Sequence, residues 1–180
     1  FVTASDDRTA RIWDAETGQP LTPPMEHDGR VVMVEFSPDG SLLATASYDH
    51  AARLWDVETG ALAAAPLMNQ KPTLAAHFSP DGKTLLTASK DRHIRFWDVA
   101  TGDAKPGGFR IEFGRRRMAP FRRNRGQGPQ ENTESIDAQF SADGSRVLTL
   151  FNGSFSSDVR VWNREENAWL AESLDHNPFT

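Results

Sequence analysis

Hydroxyl, imidazole and carboxylate side chains recur together along this chain, a combination that elsewhere builds a nucleophile, its base and the group orienting that base. The repetition argues against that chemistry, because a nucleophile is needed once and not once per repeat. No Gly-x-Ser-x-Gly elbow is present. The histidines at 27, 50, 77, 93 and 176 lack metal-ligand spacing. No phosphate loop and no dinucleotide glycine fingerprint occurs. The Asp-Gly pairs at Asp39, Asp81 and Asp143 lack the further acidic ligands of a calcium loop, so they read as turns. Zero cysteines exclude disulfides, iron–sulfur clusters and thiol catalysis. The expectation is a non-enzymatic chain with no catalytic residues, metal or cofactor.

Arginine is the other conspicuous chemistry. Lys105 to Gln130 holds eight basic residues and one acid, a net +7, whereas the remaining chain carries 12 basic and 24 acidic residues, a net −12. Arg115, Arg116, Arg117, Arg122, Arg123 and Arg125 can grip phosphates or carboxylates bidentately. Phe113 and Phe121 beside them permit base stacking. Residues 105–130 read as a basic, disordered insertion that replaces a regular outer strand and its following loop. An anionic partner is the sharper reading, nucleic acid (RNA or single-stranded DNA) ahead of an acidic protein surface.

The elements that hold these groups follow from a repeat. Trp-Asp occurs at Trp13, Trp55 and Trp97, spaced by 42, and as Trp162-Asn163. Phe-Ser-Pro-Asp-Gly starts at Phe36 and Phe78, again 42 apart, and Phe-Ser-Ala-Asp-Gly starts at Phe140. Thr-Gly follows the first three Trp-Asp pairs at Thr17, Thr59 and Thr101. Within a unit, Val31 to Phe36 and Leu42 to Ser47 are short apolar or alternating runs joined by a Pro-Asp-Gly turn. Ala51 to Trp55 is a third strand. Leu62 to Leu67 is a fourth, and Pro66 confines it to a sheet edge. The fold class is all-β, four antiparallel strands per unit.

The period, the Pro-Asp-Gly turn and the Trp-Asp-x-x-Thr-Gly ending resemble WD-repeat β-propeller blades. Family repeats also carry a His nine residues before the Phe of the turn motif. His27 occupies that slot before Phe36, Asn69 and Glu131 stand there before Phe78 and Phe140, and His176 fits it for a following unit. The resemblance makes Trp13, Trp55, Trp97 and Trp162 structural anchors whose indole N–H groups bond a Ser or Thr on the neighbouring strand (Thr45 or Ser47, Thr87 or Ser89). His27 and the turn residues Asp7, Asp49 and Asp91, each six before its Trp, extend the network. The fourth unit departs: Ser156 lies six before Trp162, and Asp158 is two residues out of register.

Residues 1–180 hold about 3.7 blades, and the resemblance implies closure with about seven. Phe1 aligns with Leu43 and Thr180 with Val31. The chain is therefore expected to be part of a larger propeller, or to self-associate through open edges. The repeat positions that vary from blade to blade form the expected partner-binding face: Asp6, Tyr48 and Lys90 before the turn aspartates, and Arg30, Pro72 and Glu134 entering the innermost strands. A varied surface on a constant frame suits a scaffold for a protein or peptide partner. No apolar run approaches the ~18 residues of a spanning helix, so no membrane role is expected, and the lack of cysteine suits a reducing, cytoplasmic compartment. Residue 1 is Phe rather than Met and no leader follows it, so the true N-terminus is expected to be missing.

Overall fold

The structure, a computed structural model, describes residues 1–111, 135–153 and 156–170. It is all-β, and the described residues contain no helix. The first sheet comprises β1 (Val2–Ala4), β2 (Thr9–Ile12) and β3 (Met25–Glu26). The second comprises β4 (Val31–Phe36), β5 (Leu42–Ser47), β6 (Ala51–Asp56) and β7 (Leu67–Met68). The third comprises β8 (Thr73–Phe78), β9 (Thr84–Ser89), β10 (His93–Asp98) and β11 (Ala104–Arg110). The fourth comprises β12 (Ser135–Phe140), β13 (Arg146–Gly153), β14 (Ser156–Asn163) and β15 (Ala168–Trp169). Within each sheet the strands follow chain order and every pair is antiparallel, the arrangement of propeller blades.

Two turn chemistries place these strands. In the Pro-Asp-Gly turn, Asp39 accepts hydrogen bonds from the Ser37 hydroxyl at 2.6 Å and the Ser41 N–H at 3.0 Å, and Gly40 takes φ +75°. Asp81 and Asp143 hold the matching turns of the third and fourth sheets. At the other turn of that end, the Asp of Trp-Asp caps the backbone: Asp56 accepts from Thr59 N–H at 2.8 Å and its hydroxyl at 2.7 Å. In the fourth sheet Asn163 performs that job, and Asn167 supplies the positive φ that glycine supplies elsewhere.

The core lies between sheets. Leu43 and Trp55 of the second sheet pack against Ile12 and Met25 of the first; Leu54 and Leu67 pack against Phe78 and Trp97 of the third. Phe109, Ile136, Phe151 and Trp162 close the third onto the fourth. Each sheet thus buries its faces only against its neighbours.

Two expectations about outer strands need correction. Leu62 to Leu67 is not one strand: Leu62 forms an isolated bridge to Trp55, the chain bends, and β7 pairs only at Leu67 and Met68. The first sheet splits in the same way, with a bridge from Trp13 to Pro20 and then β3. Pro23, Pro24 and Pro66 lie in these breaks and have no N–H to give to a ladder. The second correction concerns the basic stretch. It does not replace the outer strand, because Lys105 to Arg110 lie in β11 and pair with β10. A bulge at Ile94 to Phe96 admits Gly107 at φ +92° and Gly108, where a Cβ would stand 2.9 Å from the Ile94 carbonyl oxygen. Residues 112–134, with all six of the singled-out arginines, lie outside the described residues.

Candidate partner-binding face

The β5–β6 turn and the entry to β4 lie at one end of the second sheet, and what fixes them is a buried chain of hydrogen bonds. Leu43 pairs with Trp55 across β5 and β6, so Thr45, two residues on, is the diagonal neighbour on the same side. The Trp55 indole N–H donates to Thr45 Oγ1 at 3.0 Å. Thr45 Oγ1 lies 2.7 Å from His27 Nε2, and His27 Nδ1 lies 2.9 Å from Asp49 Oδ2. A proton on Nδ1 suits the two bonds of this line, Thr45 donating to Nε2 and Nδ1–H donating to Asp49, while Arg53 Nη1 also closes on Nδ1. Arg53 reaches Asp49 from the same side, and the Asp28 N–H donates to Asp49 Oδ2 at 3.1 Å. Burial alone would raise the Asp49 carboxyl, but the bonds from His27 and Arg53 outweigh it and hold the group well below the usual carboxylate range.

Hydroxyl, imidazole and carboxylate therefore do meet in one line. Thr45 is fully buried, however, and its oxygen already accepts the indole N–H. It has no path to a solvent-borne electrophile, so the line serves as a strut that seats the turn.

The other sheets vary the strut. In the third, the Trp97 N–H donates to Thr87 at 2.9 Å, while Asn69 replaces the imidazole. Asn69 is too short to reach Asp91, and Arg95 bridges them, donating to Asn69 Oδ1 at 2.9 Å and to Asp91 Oδ2 at 2.7 Å. Burial opposes ionisation of Asp91, but the bonds from Arg95 and Ser89 bring it down to about 2. In the first sheet, Trp13 is half-buried, stacks on Phe1 and donates to Thr3 at 2.8 Å. Asp7 is exposed and caps its own turn through Thr9. In the fourth, the Trp162 Nε1 and Asp158 Oδ1 are buried with no hydrogen-bond partner among the described residues. Asp158 Oδ2 accepts from Arg160 at 2.9 Å, and Trp162 stacks on Phe109 at 4.2 Å and meets Trp169 edge-on.

Of the variable positions, three converge. The Arg30 guanidinium lies 3.8 Å from the Tyr48 ring centre, and Lys90 Nζ lies 4.7 Å from it. Backbone bonds hold the three in place, Tyr48 N–H to the Arg30 carbonyl at 3.0 Å and Lys90 N–H to the Pro72 carbonyl at 2.9 Å. Burial raises the Tyr48 phenol, but Lys90 and Arg30 together lower it. Asp6 is exposed in the β1–β2 turn, outside this cluster. Glu134 lies outside the described residues.

Sequence reasoning missed a second meeting point. His77 of β8 sits between Glu35 of β4, 3.3 Å from Nδ1, and Asp137 of β12, 3.2 Å from Nε2. Glu35 also accepts the Phe78 N–H at 3.0 Å, so one side chain ties two innermost strands. Burial disfavours the imidazolium, yet the two carboxylates push the His77 pKa up to about 9. The available signal was positional: Glu35 and His77 both stand one residue before the turn Phe.

The family model for the WD domain, G-beta repeat, matches residues 1–14, 18–56 and 70–98. Ribosome assembly protein 4 of Saccharomyces cerevisiae (strain ATCC 204508 / S288c) is 44% identical over 45 residues, which are 25% of this chain and 9% of the yeast protein. The crystal structure of the computationally designed Ika8 protein superposes on 97% of this chain with a TM-score of 0.68 at 20% identity, using 45% of its own chain. That likeness concerns fold alone, and this chain spans less than half of the designed protein. Among the described residues no helix is long and apolar enough to cross a membrane, and no cluster of His, Asp and Glu could hold a metal ion.

Proposed function

Because the chain belongs to the WD-repeat family, we propose that it is a non-catalytic scaffold whose β5–β6 and β9–β10 turn end receives a partner protein. The observation that carries this reading is the contrast between a recurring strut and the variable turn residues it seats. The Trp–hydroxyl bond recurs at Trp13, Trp55 and Trp97, whereas Asp6, Tyr48 and Lys90 at the turns differ in size and charge. Rigid frames with variable loops favour recognition, because little ordering entropy is lost on binding.

A photo-crosslinking residue at Asp6 or Lys90, against controls at Glu58 and Lys83 on the opposite end, tests it. The expected result is a partner captured from the turn end and absent from the controls. Capture from the opposite end alone would overturn the assignment. A second reading rests on the arginine cluster between residues 114 and 130: association with RNA or single-stranded DNA. It predicts binding that weakens with salt at a log–log slope of roughly −0.7 per phosphate contacted, and that disappears when Arg115, Arg116, Arg117, Arg122, Arg123 and Arg125 become Gln.

A further inference from the structure

Two cations share one aromatic ring at the turn end, and neither has a counter-charge among the described residues. Arg30 comes from the entry to β4 and Lys90 from the β9–β10 turn of the next sheet, yet both settle on Tyr48. Neither makes an ion pair among the described residues, although Asp91 beside Lys90 pairs with Arg95 and Asp49 beside Tyr48 pairs with His27 and Arg53. The two carboxylates next in sequence to Tyr48 and Lys90 are thus occupied inside the struts, while Arg30 stays exposed and Lys90 half-buried. Like charges held this close repel each other, and the ring's negative face offsets only part of that. A carboxylate placed between them would complete the site with charge-assisted hydrogen bonds.

Tyr48 has a second neighbour. Its ring helps line an open groove of about 460 Å³ that runs along the innermost strands, with Val32, Leu74 and Leu150 on its walls and His77 and Asp137 among its lining residues. Val32 and Leu150 are large apolar side chains left 39% and 37% exposed. The site therefore offers two adjoining chemistries, a cationic clamp and an apolar trough, with one tyrosine belonging to both.

We propose that Arg30, Tyr48 and Lys90 form a carboxylate clamp for an extended peptide segment of a partner protein, one bearing Glu or Asp next to an apolar side chain that enters the Val32–Leu74–Leu150 groove. This deepens the scaffold reading and rests on it. A peptide fits better than a nucleic acid strand. The positive zone is small, and exposed Asp6, Glu26 and Asp28 on this part of the chain, with Asp137 in the groove, would oppose a continuous polyanion. A single acidic side chain can use the clamp without meeting them.

The test is an NMR titration of the isotope-labelled full-length protein with a short synthetic peptide alternating Glu and Leu, beside a Gln-for-Glu counterpart and a single-stranded oligonucleotide. Saturable shifts at the Arg30, Tyr48 and Lys90 amides are expected with the Glu peptide. Affinity should fall on the order of tenfold for the Gln peptide and for Arg30→Gln/Lys90→Gln. The variant's own amide spectrum reports whether the fold is kept, and Lys90→Gln alone serves as the milder change. Absence of shifts at these amides, equal binding of Glu and Gln peptides, full binding by the double variant, or tighter oligonucleotide binding at the same amides would each overturn the clamp. Peptide shifts confined to the Asp6 turn would overturn the clamp and leave the scaffold reading standing; that wider reading fails separately, through crosslinking at the opposite end.

Discussion

The second and fourth blades share a strand order and differ in how they are held. In the second, Trp55, Thr45, His27 and Asp49 bond to one another, so the blade carries its own strut from inner face to turn. In the fourth, Trp162 is as deeply buried as Trp55, at 7% against 6% exposure, but its N–H has no partner among the described residues. The fourth blade is held from outside: Phe109 of the third sheet stacks on Trp162, and His77 of the third sheet grips Asp137. A repeat fold can therefore lose an internal network and keep its geometry where a neighbour supplies packing and charge.

The largest test of this contrast removes the anchors. Trp55→Ala should cost about 3–5 kcal/mol through lost packing, and Trp162→Ala should cost less, because no hydrogen bond among the described residues goes with the ring. Chemical denaturation of both variants measures the difference, and equal losses would break the comparison. A narrower test deletes only the N–H. Trp55→Phe should cost about 1–2 kcal/mol by leaving buried Thr45 short of a donor, whereas Trp162→Phe should be neutral or slightly stabilising.

The external support of the fourth blade should depend on pH. The His77 pKa is raised from 6.5 to about 9, so folding favours the charged ring. Its stabilisation is complete below pH 6.5 and is lost as pH rises through about 9. We expect roughly 1–2 kcal/mol, reduced from the full shift because Glu35 and Asp137 are partly exposed. The hydrogen-exchange protection factors of β12 to β14, which remove the base catalysis of exchange itself, should fall over that range in the native protein and stay flat in His77→Gln. A flat profile in the native protein would show that the stacked aromatics alone hold the blade.

The repeat made much of this legible. The 42-residue period placed β4 and β5 at their observed bounds, and the turn aspartates could be read from Pro-Asp-Gly and Trp-Asp. What stayed hidden was set across blades. The meeting of Arg30 with Lys90 on Tyr48, and of Glu35 with Asp137 on His77, depends on how one sheet is rotated against the next, which no local pattern encodes. β11 was missed for a different reason. Lys105, Pro106, Gly107 and Gly108 have the composition of a loop, and only the bulge opposite Ile94 makes them a strand. The smallest expected effect follows from that boundary. Replacing residues 114–130 with a short Gly-Ser link should change stability by under about 0.5 kcal/mol, read by thermal melting; a larger loss would mean that this stretch belongs to the core.

Frame and face should come apart in one measurement. A partner captured by crosslinking at the turn end is titrated against the native protein and against Arg30→Gln/Lys90→Gln, with melting temperature recorded on the same samples. The account predicts an unchanged melting temperature and affinity reduced on the order of tenfold. Full affinity in the double variant, with the fold intact, would contradict it.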